Sequence, residues 1–83
     1  MRTVRYSRRA EKDLLALPKP DRVVIVVGID VFAAGARNID LKKLRGFDPA
    51  LYRIRIGRFR VIFAVGDDGG AVVLRISDRK NTY

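Results

Sequence analysis

The sequence contains no cysteine, no histidine and no tryptophan. Without cysteine the chain can form neither a disulfide nor a thiolate metal site. Without histidine it lacks the side chain that most often transfers protons near neutral pH and most often binds metal ions. We therefore expect a protein without a metal or cofactor, in which any acid–base chemistry depends on other side chains.

Long apolar runs are missing as well. The longest one, from Val23 to Ile29, is far shorter than the roughly 20 residues of a membrane-spanning helix. The first six residues, MRTVRY, include two arginines and do not resemble an apolar targeting segment. We expect a soluble cytoplasmic protein, and the length of 83 residues predicts a single domain over residues 1–83.

Positive charge dominates the composition. The 18 lysines and arginines outnumber the nine acidic residues, which gives a net charge of +9. Thirteen of the 18 are arginine, whose planar guanidinium can hold two phosphate oxygens at once. Eight basic residues fall between Arg37 and Arg60. This balance predicts a polyanionic partner for that segment.

The N-terminal half predicts a short strand followed by a helix. MRTVRY has the composition of a strand, and Ser7 is a favourable N-cap. Ala10, Leu14 and Leu17 have the spacing of one buried helical stripe, which predicts a helix over Arg8–Leu17. Pro18 and Pro20 then end this helix or begin the next one.

The next segment, DRVVIVVGIDVFAAGARN, is ambiguous between helix and strand. Its β-branched run from Val23 to Val27 is typical of a buried strand. However, Ile25, Ile29 and Phe32 repeat at helical spacing, and Arg22 to Ala34 is long for a strand. The pattern therefore favours a helix, with Asp21 as a possible N-cap.

The C-terminal half predicts a connection and three strands. NIDLKKLRGFDPA contains turn residues and is interpreted as the connection. A tight hairpin at Gly57 and the turn GDDGG separate strands at Leu51–Ile56, Arg58–Val65 and Ala71–Ser77. In that turn, Asp67 and Asp68 favour turn formation over metal binding. The order βααβββ predicts an α+β fold, an antiparallel sheet with two N-terminal helices packed on one face.

The alternation of residues along the hairpin predicts what each sheet face presents. Tyr52, Ile54, Ile56 and their neighbours of the same parity are expected to face the helices. The opposite face is expected to be basic and partly apolar, and Arg75 and Arg79 share one parity further along. That face is predicted to carry Arg53, Arg55, Arg58, Arg60, Ile62, Ala64 and Val73. Such a surface suits a nucleic acid or a protein partner.

These segments resemble the RelE/ParE superfamily of bacterial and archaeal toxins. LKKLRG corresponds to its KLKG turn, LYRIRIGRFRVIF to its YRLRVGDYRVIY hairpin, and the final RKNTY to its HRxxVY ending. YSRRAEKDLLALP also resembles the first helix of the family. The resemblance covers nearly the whole chain and is weakest over Val23 to Ala34. It implies a helix there.

The resemblance also implies functional residues. In RelE-like members, basic residues on the hairpin strands and an Arg and a Tyr near the C-terminus carry the chemistry. The matching catalytic residues here are Arg53, Arg55, Arg60, Arg79 and Tyr83. Peripheral RNA or phosphate contacts are expected from Lys42, Lys43, Arg45, Arg58 and Arg75. The sequence departs from the family where Asp78 replaces a common His, where Arg replaces a lysine proposed as general base, and where the sequence stops at Tyr83.

RNA cleavage by the ribose 2′-OH needs charge stabilisation at the phosphorane and a group that transfers a proton. Arginine provides charge but exchanges protons poorly, because its pKa stays above about 12. Tyr83 is the remaining proton-transfer candidate, since neighbouring cations favour the phenolate. The alternative is that Arg53 and Arg55 are ordinary solvated positions on an exposed strand and that Tyr83 is an unstructured terminal residue.

The resemblance implies two activities and one partner. RelE-like members are endoribonucleases that cut mRNA, commonly in the ribosomal A site, whereas ParE-like members poison DNA gyrase and lack the nuclease residues. Both are held inactive by an antitoxin. We expect a metal-independent endoribonuclease that acts on mRNA at the ribosome and forms a hetero-oligomer with an acidic, RelB-like antitoxin. The alternatives are a gyrase poison, or an inactive relative that only binds nucleic acid or antitoxin.

Overall fold

A computed structural model of the chain describes residues 3–47 and 49–78, and in this range two helices follow the first of five strands. The elements are β1 (Val4–Tyr6), α1 (Arg8–Leu15), α2 (Lys19–Ala33), β2 (Asp40–Leu44), β3 (Leu51–Ile56), β4 (Phe59–Val65) and β5 (Ala71–Asp78). The strands form one sheet in the order β1-β5-β4-β3-β2. The predicted α+β class is confirmed.

Helix α1 begins where the sequence predicts. The Ser7 hydroxyl accepts a hydrogen bond from the Ala10 backbone N–H at 3.1 Å, as an N-cap does. The helix ends at Leu15, two residues before the predicted end, and Ala16 is its C-cap. Leu14 and Leu17 still pack against the core, as their spacing predicts.

Helix α2 confirms the helical interpretation of Val23 to Val27. It begins at Lys19 with Pro18 as N-cap, so Asp21 lies inside the first turn and the prediction of an Asp21 cap was wrong. The two prolines explain the earlier start, because proline is well tolerated in the first turn of a helix. Neither described helix is long and apolar enough to cross a membrane.

The sheet has one strand more than predicted and one parallel pair. Asp40–Leu44, interpreted as part of a connection, is β2 and pairs antiparallel with β3. The strand could not be recognised from its sequence, DLKKL, because it contains no β-branched residue. Its side chains are mostly exposed at the sheet edge, so they show no buried stripe either. β1 pairs parallel with β5, so the sheet is mixed and not antiparallel throughout. The predictions for β3, β4 and β5 are confirmed to within one residue at each end, and β1 occupies only Val4–Tyr6 of the predicted segment MRTVRY.

Beyond the end of β1, α1 takes over the hydrogen bonds of the β5 edge. The Ser7 backbone N–H donates to the Val73 carbonyl at 2.9 Å, and the Ser7 hydroxyl donates to the Leu74 carbonyl at 3.2 Å. Further along α1, an Asp13 carboxylate oxygen accepts a hydrogen bond from the Ile76 N–H at 3.0 Å. These contacts satisfy edge groups that would otherwise invite pairing with another chain.

The core lies between the two helices and one face of the sheet. Ile25, Ile29 and Phe32 of α2 and Ala10 of α1 pack against strands β3 to β5. The Phe63 ring lies at the centre, and its centroid is 4.9 Å from that of Phe32. Both helices therefore cover the same face of the sheet, as predicted, and the other face carries the hairpin arginines.

We predict that Gly28→Ala destabilises the fold even though alanine favours a helix. A Cβ at Gly28 would lie 2.7 Å from Cδ1 and 2.8 Å from Cγ2 of Ile56 in β3. Overpacking of this kind typically costs about 1–3 kcal/mol, which exceeds the gain in helix propensity of up to about 1 kcal/mol. Thermal or urea unfolding measures the difference.

The matched control makes the same change in an Ile56→Ala background. There the clashing atoms are gone, so Gly28→Ala should stabilise the protein through helix propensity alone. If Gly28→Ala stabilises the wild-type protein as well, α2 does not pack against β3 as closely as the structure describes.

Candidate phosphate-binding face

Strand pairing places four basic side chains on the sheet face that the helices leave open. Arg53 of β3 is paired with Lys42 of β2, and Arg55 of β3 is paired with Arg60 of β4. Residues directly opposite each other on paired strands project to the same face, while Ile54 and Val61 between them point into the core. We call Lys42, Arg53, Arg55 and Arg60 the arginine face. The shared face of the three arginines is as predicted.

Arg53 is a largely enclosed member of the arginine face. Only 12% of its side chain is exposed, and its Nη2 lies 3.5 Å from an oxygen of Asp40. Its Nη1 is buried and has no hydrogen-bond partner within the described residues. A buried donor without an acceptor is costly, and a charged one more so. An anion that reached Nη1 would therefore gain a strong, charge-assisted hydrogen bond.

Arg55 and Arg60 form a directly opposed pair of like charges. Arg55 is exposed and Arg60 half-buried. Like charges opposite each other on neighbouring strands destabilise a sheet. Together with Asp40, Gly57, Arg58 and Phe59, the pair lines a depression of about 330 Å³ near the hairpin turn. Two guanidinium groups that border one depression are suited to binding an anion there.

A cavity more voluminous than this depression lies elsewhere in the described chain. It has a volume of about 800 Å³ and opens between the C-terminal end of α2 and the β4–β5 turn. Its lining consists mainly of alanines, glycines and apolar side chains, and Arg37 is its one basic residue. We consider the arginine face the better candidate, because several like charges converge there.

Arg58 borders the same depression, but both of its carboxylate partners lie on the helix side of the sheet, so it does not share the open face as predicted. It occupies the hairpin turn, where Nε donates to Asp78 at 2.8 Å and Nη2 donates to Asp21 of α2 at 3.1 Å. The hydrogen bond to Asp78, followed by the charge of Asp21, raises the pKa of the Arg58 guanidinium. The alternation rule failed because the strand begins at Phe59, so Arg58 does not follow its register. Arg58 links the hairpin turn to α2.

Val73 differs from the prediction, whereas Arg75 keeps the predicted face, because it lies opposite Ile62, which is itself opposite Arg53. Val73 is buried in the core, and a shift in the β4–β5 register follows it, so that Arg75 pairs with Ile62. Arg75 Nε donates to Asp13 of α1 at 3.0 Å. An irregularity of this kind cannot be read from the alternation of residues. Arg75 thus joins β5 to α1 through Asp13, and its predicted phosphate contact stays a prediction.

The remaining predicted site residues lie away from the arginine face or outside the described residues. Lys43 is paired with Tyr52, whose ring stacks against Phe63, so Lys43 does not share the face of Lys42. Arg45 lies exposed in the turn after β2. Arg79 and Tyr83 lie outside the described residues, and their predicted catalytic roles stay predictions.

Asp40 is the site residue that the sequence interpretation missed. It is paired with Arg55 and lies close to Arg53, which makes it the carboxylate of the arginine face. If Asp40–Leu44 had been predicted as a strand, the alternation of residues would have placed Asp40 on the same face as Lys42. Its carboxylate is 56% exposed, so it competes with an incoming anion at modest strength.

Comparison with known proteins identifies the family. Residues 4–83 match the family model of the ParE toxin of type II toxin–antitoxin systems, parDE. The chain belongs to this toxin family. It is a RelE-like toxin of a type II toxin–antitoxin system, and the sequence resemblance to the RelE/ParE superfamily is confirmed.

Individual relatives carry the RelE name. The toxin is 33% identical to the "Putative toxin RelE1" of Methanocaldococcus jannaschii, over 96% of this chain and 92% of the relative. It is similar to a chain of the archaeal RelE–RelB complex from Pyrococcus horikoshii, with a TM-score of 0.76, 27% identity and 98% of both chains covered. It is also similar to a chain of the toxin–antitoxin complex RelBE2 from Mycobacterium tuberculosis, with a TM-score of 0.71, 29% identity, and 94% and 98% covered.

We predict that Asp40→Asn strengthens binding of the toxin to a single-stranded oligonucleotide. The change removes the carboxylate nearest Arg53 and keeps the side-chain size. Because an exposed ion pair is worth about 0.2–1 kcal/mol, affinity should rise by up to about fivefold at low salt, and salt should diminish the gain. Fluorescence anisotropy measures it.

Asp67→Asn is the matched control. It makes the same change of net charge in the exposed β4–β5 turn, at the opposite end of β4 from Arg60. A smaller gain is expected there. Equal gains for the two variants would mean that the oligonucleotide senses only net charge and does not bind at the arginine face.

Proposed function

We propose that the toxin is an endoribonuclease that cleaves mRNA at the ribosome in the cytoplasm, and that an acidic antitoxin inhibits it. The observation that carries the proposal is the arginine face, in which Arg53 holds a buried Nη1 without a hydrogen-bond partner among the described residues. Phosphate oxygens are the ligands that such a set of guanidinium groups suits best. The similarity to proteins named RelE supports the same activity.

The proposed reaction breaks the P–O5′ bond. The ribose 2′-OH attacks the phosphorus, and the products are a 2′,3′-cyclic phosphate and a 5′-OH end. Arg53, Arg55, Arg60 and Arg79 stabilise the negative charge of the phosphorane, an effect of about 3–4 kcal/mol for one well-aimed donor. The 2′-OH loses a proton and the leaving 5′ oxygen gains one, and Tyr83 takes part in this proton transfer. Because arginines provide the positive charge, the mechanism needs no metal ion.

The other predicted phosphate contacts have different roles in this proposal. Lys42 stands beside Arg53 on the neighbouring strand and extends the arginine face along the RNA backbone. Lys43 and Arg45 contribute positive potential from the β2 edge. Arg58 and Arg75 hold the hairpin and β5 to the helices through their carboxylate partners.

A second candidate function is poisoning of DNA gyrase without nuclease activity. The match of the ParE family model over residues 4–83 favours it. The arginine face favours the nuclease, since a gyrase poison does not require arginines grouped at a phosphate site. A third candidate is an inactive relative that binds only nucleic acid or antitoxin.

Induction of the toxin in cells separates these candidates. The nuclease proposal expects new mRNA 5′ ends within coding regions soon after induction, with no increase in gyrase-linked DNA breaks. Gyrase-linked breaks with intact mRNA would establish the gyrase poison, and toxicity with neither signal would contradict both.

The antitoxin part of the proposal rests on charge and on the relatives. A net charge of +9 on 83 residues favours an acidic partner. Two similar structures are RelE–RelB and RelBE2 complexes, which supports a hetero-oligomer for this toxin as well. The expected partner is a small acidic protein encoded beside the toxin gene. If no such protein binds the toxin or protects cells from it, this part of the proposal is wrong.

We predict that Arg60→Ala reduces both binding and cleavage of RNA. Loss of one phosphate contact should lower the slope of log K against log salt by about 0.7 for single-stranded RNA. Cleavage should fall by about 10²–10³-fold, because one stabilising charge at the phosphorane is gone. Single-turnover cleavage on programmed ribosomes and binding at several salt concentrations measure the two effects.

Arg37→Ala is the control for this substitution. It removes the same charge from an exposed position in the α2–β2 connection, remote from the hairpin. Cleavage should stay near the wild-type rate. Similar losses in both variants would show that only overall charge matters.

We predict that Tyr83→Phe leaves RNA binding intact and slows cleavage by about 10²–10⁴-fold, the range for loss of a positioned acid or base. Phenylalanine keeps the ring and removes only the hydroxyl. Binding and single-turnover cleavage are measured on the same samples. Cleavage at the wild-type rate would exclude Tyr83 as the proton-transfer group.

A further inference from the structure

We propose that the outer surface of α2 is the docking site for an apolar stripe on a helix of the acidic antitoxin. We call this surface the valine face and define it as Val23, Val24, Val27 and Val31. The inference rests on the proposed antitoxin and adds where, and through which chemistry, it binds.

The four valines are exposed in the isolated chain. Their exposed fractions are 52% for Val23, 48% for Val24, 54% for Val27 and 43% for Val31. Ile25, Ile29 and Phe32 on the inner side of the same helix are buried, so the fold uses only the inner stripe. The outer valines span about 12 Å along the helix axis, at a rise of about 1.5 Å per residue.

Valine at these positions gives the isolated helix little benefit. It has a lower helix propensity than alanine because its branched side chain loses rotamer freedom. Single exposed apolar residues are ordinary, but a contiguous apolar patch on a small protein marks an interaction surface. A partner helix that covers the valines would turn their exposed area into binding free energy.

Charge around the valine face selects the kind of partner. Lys19, Arg22, Val23, Val26 and Val27 line a shallow groove of about 330 Å³ on this side of α2. α2 carries two acidic residues: Asp21 is paired with Arg58, and Asp30 is exposed beside Val31, toward the other end of the helix. The groove itself is bordered by Lys19 and Arg22, so its charge is positive. An amphipathic helix with acidic residues beside its apolar stripe fits this surface. A second copy of the chain, with its own charge of +9, would be repelled.

The valine face and the arginine face lie on opposite sides of the sheet. The helix layer and the core separate them, since the valines point away from the core and the arginines lie on the face that no helix covers. A helix docked on the valine face therefore leaves the arginine face uncovered. The antitoxin would be anchored by this helix and would need a further acidic segment to block RNA.

Val23→Ala/Val27→Ala tests the proposal with the full-length toxin. The probe is the purified product of the reading frame beside the toxin gene, with affinity measured by titration calorimetry. We expect binding about 10- to 100-fold weaker, because two central apolar side chains are truncated. Unfolding should show equal or higher stability of the toxin, since alanine favours the helix. RNA binding by the toxin alone should stay unchanged.

Leu15→Ala is the matched control. Leu15 is 69% exposed on α1 and is not part of the valine face, so its truncation should leave antitoxin affinity within about twofold. Val23→Glu/Val27→Glu is the second variant, and it should weaken binding further, because it places negative charge against an acidic partner.

The outcomes separate this inference from the proposed function. If the wild-type toxin binds the probe and the valine variants bind it equally well, the valine face is not the docking site and the toxin–antitoxin pairing stands. If the wild-type toxin does not bind the probe, both proposals fail. If the wild-type toxin alone forms a dimer that the valine variants abolish, the face belongs to a second copy and the proposal is overturned.

Discussion

This toxin has nine acidic side chains for eighteen basic ones, so only some arginines can be paired with a carboxylate. The positions of the carboxylates decide which arginines link elements of the fold. Arg58 bonds with two carboxylates, Asp21 and Asp78, and thereby ties the hairpin turn to α2 and β5. Arg75 bonds with Asp13 at the junction of β5 and α1. Arg55 and Arg60 instead lie directly opposite each other on the paired strands β3 and β4. The shortage of negative charge is thus concentrated on one face of the sheet.

The core makes that concentration of charge tolerable. Ile54 and Val61 alternate with the arginines of the hairpin and are almost fully buried against α2. Their packing fixes the strands in spite of the repulsion between guanidinium groups on the other face. Donors held in place before the substrate arrives stabilise a transition state better than mobile ones, because no reorganisation is needed. Packing on one face of the sheet therefore holds the arginines of the other face in position for the proposed phosphate chemistry.

Local patterns in the sequence were sufficient for most of the fold and for the centre of the site. Period-two alternation placed Arg53, Arg55 and Arg60 together, and helical spacing outweighed the β propensity of Val23 to Val27. Effects that arise between elements were missed. β2 forms because its backbone pairs with the edge of β3. Arg58 turns toward carboxylates on α2 and β5. The register of β5 against β4 shifts after Val73, which lies in the core. None of these is visible in a run of neighbouring residues.

Arginine side-chain NMR tests the central claim most directly, namely that phosphate binds at the arginine face. The toxin is labelled at the arginine nitrogens and titrated with an RNA whose 2′-O-methyl groups prevent cleavage. The Nε signals of Arg53, Arg55 and Arg60 should shift with one common dissociation constant, while those of Arg58 and Arg75 stay nearly unchanged. Equal shifts for all five, or shifts confined to Arg58 and Arg75, would contradict the account.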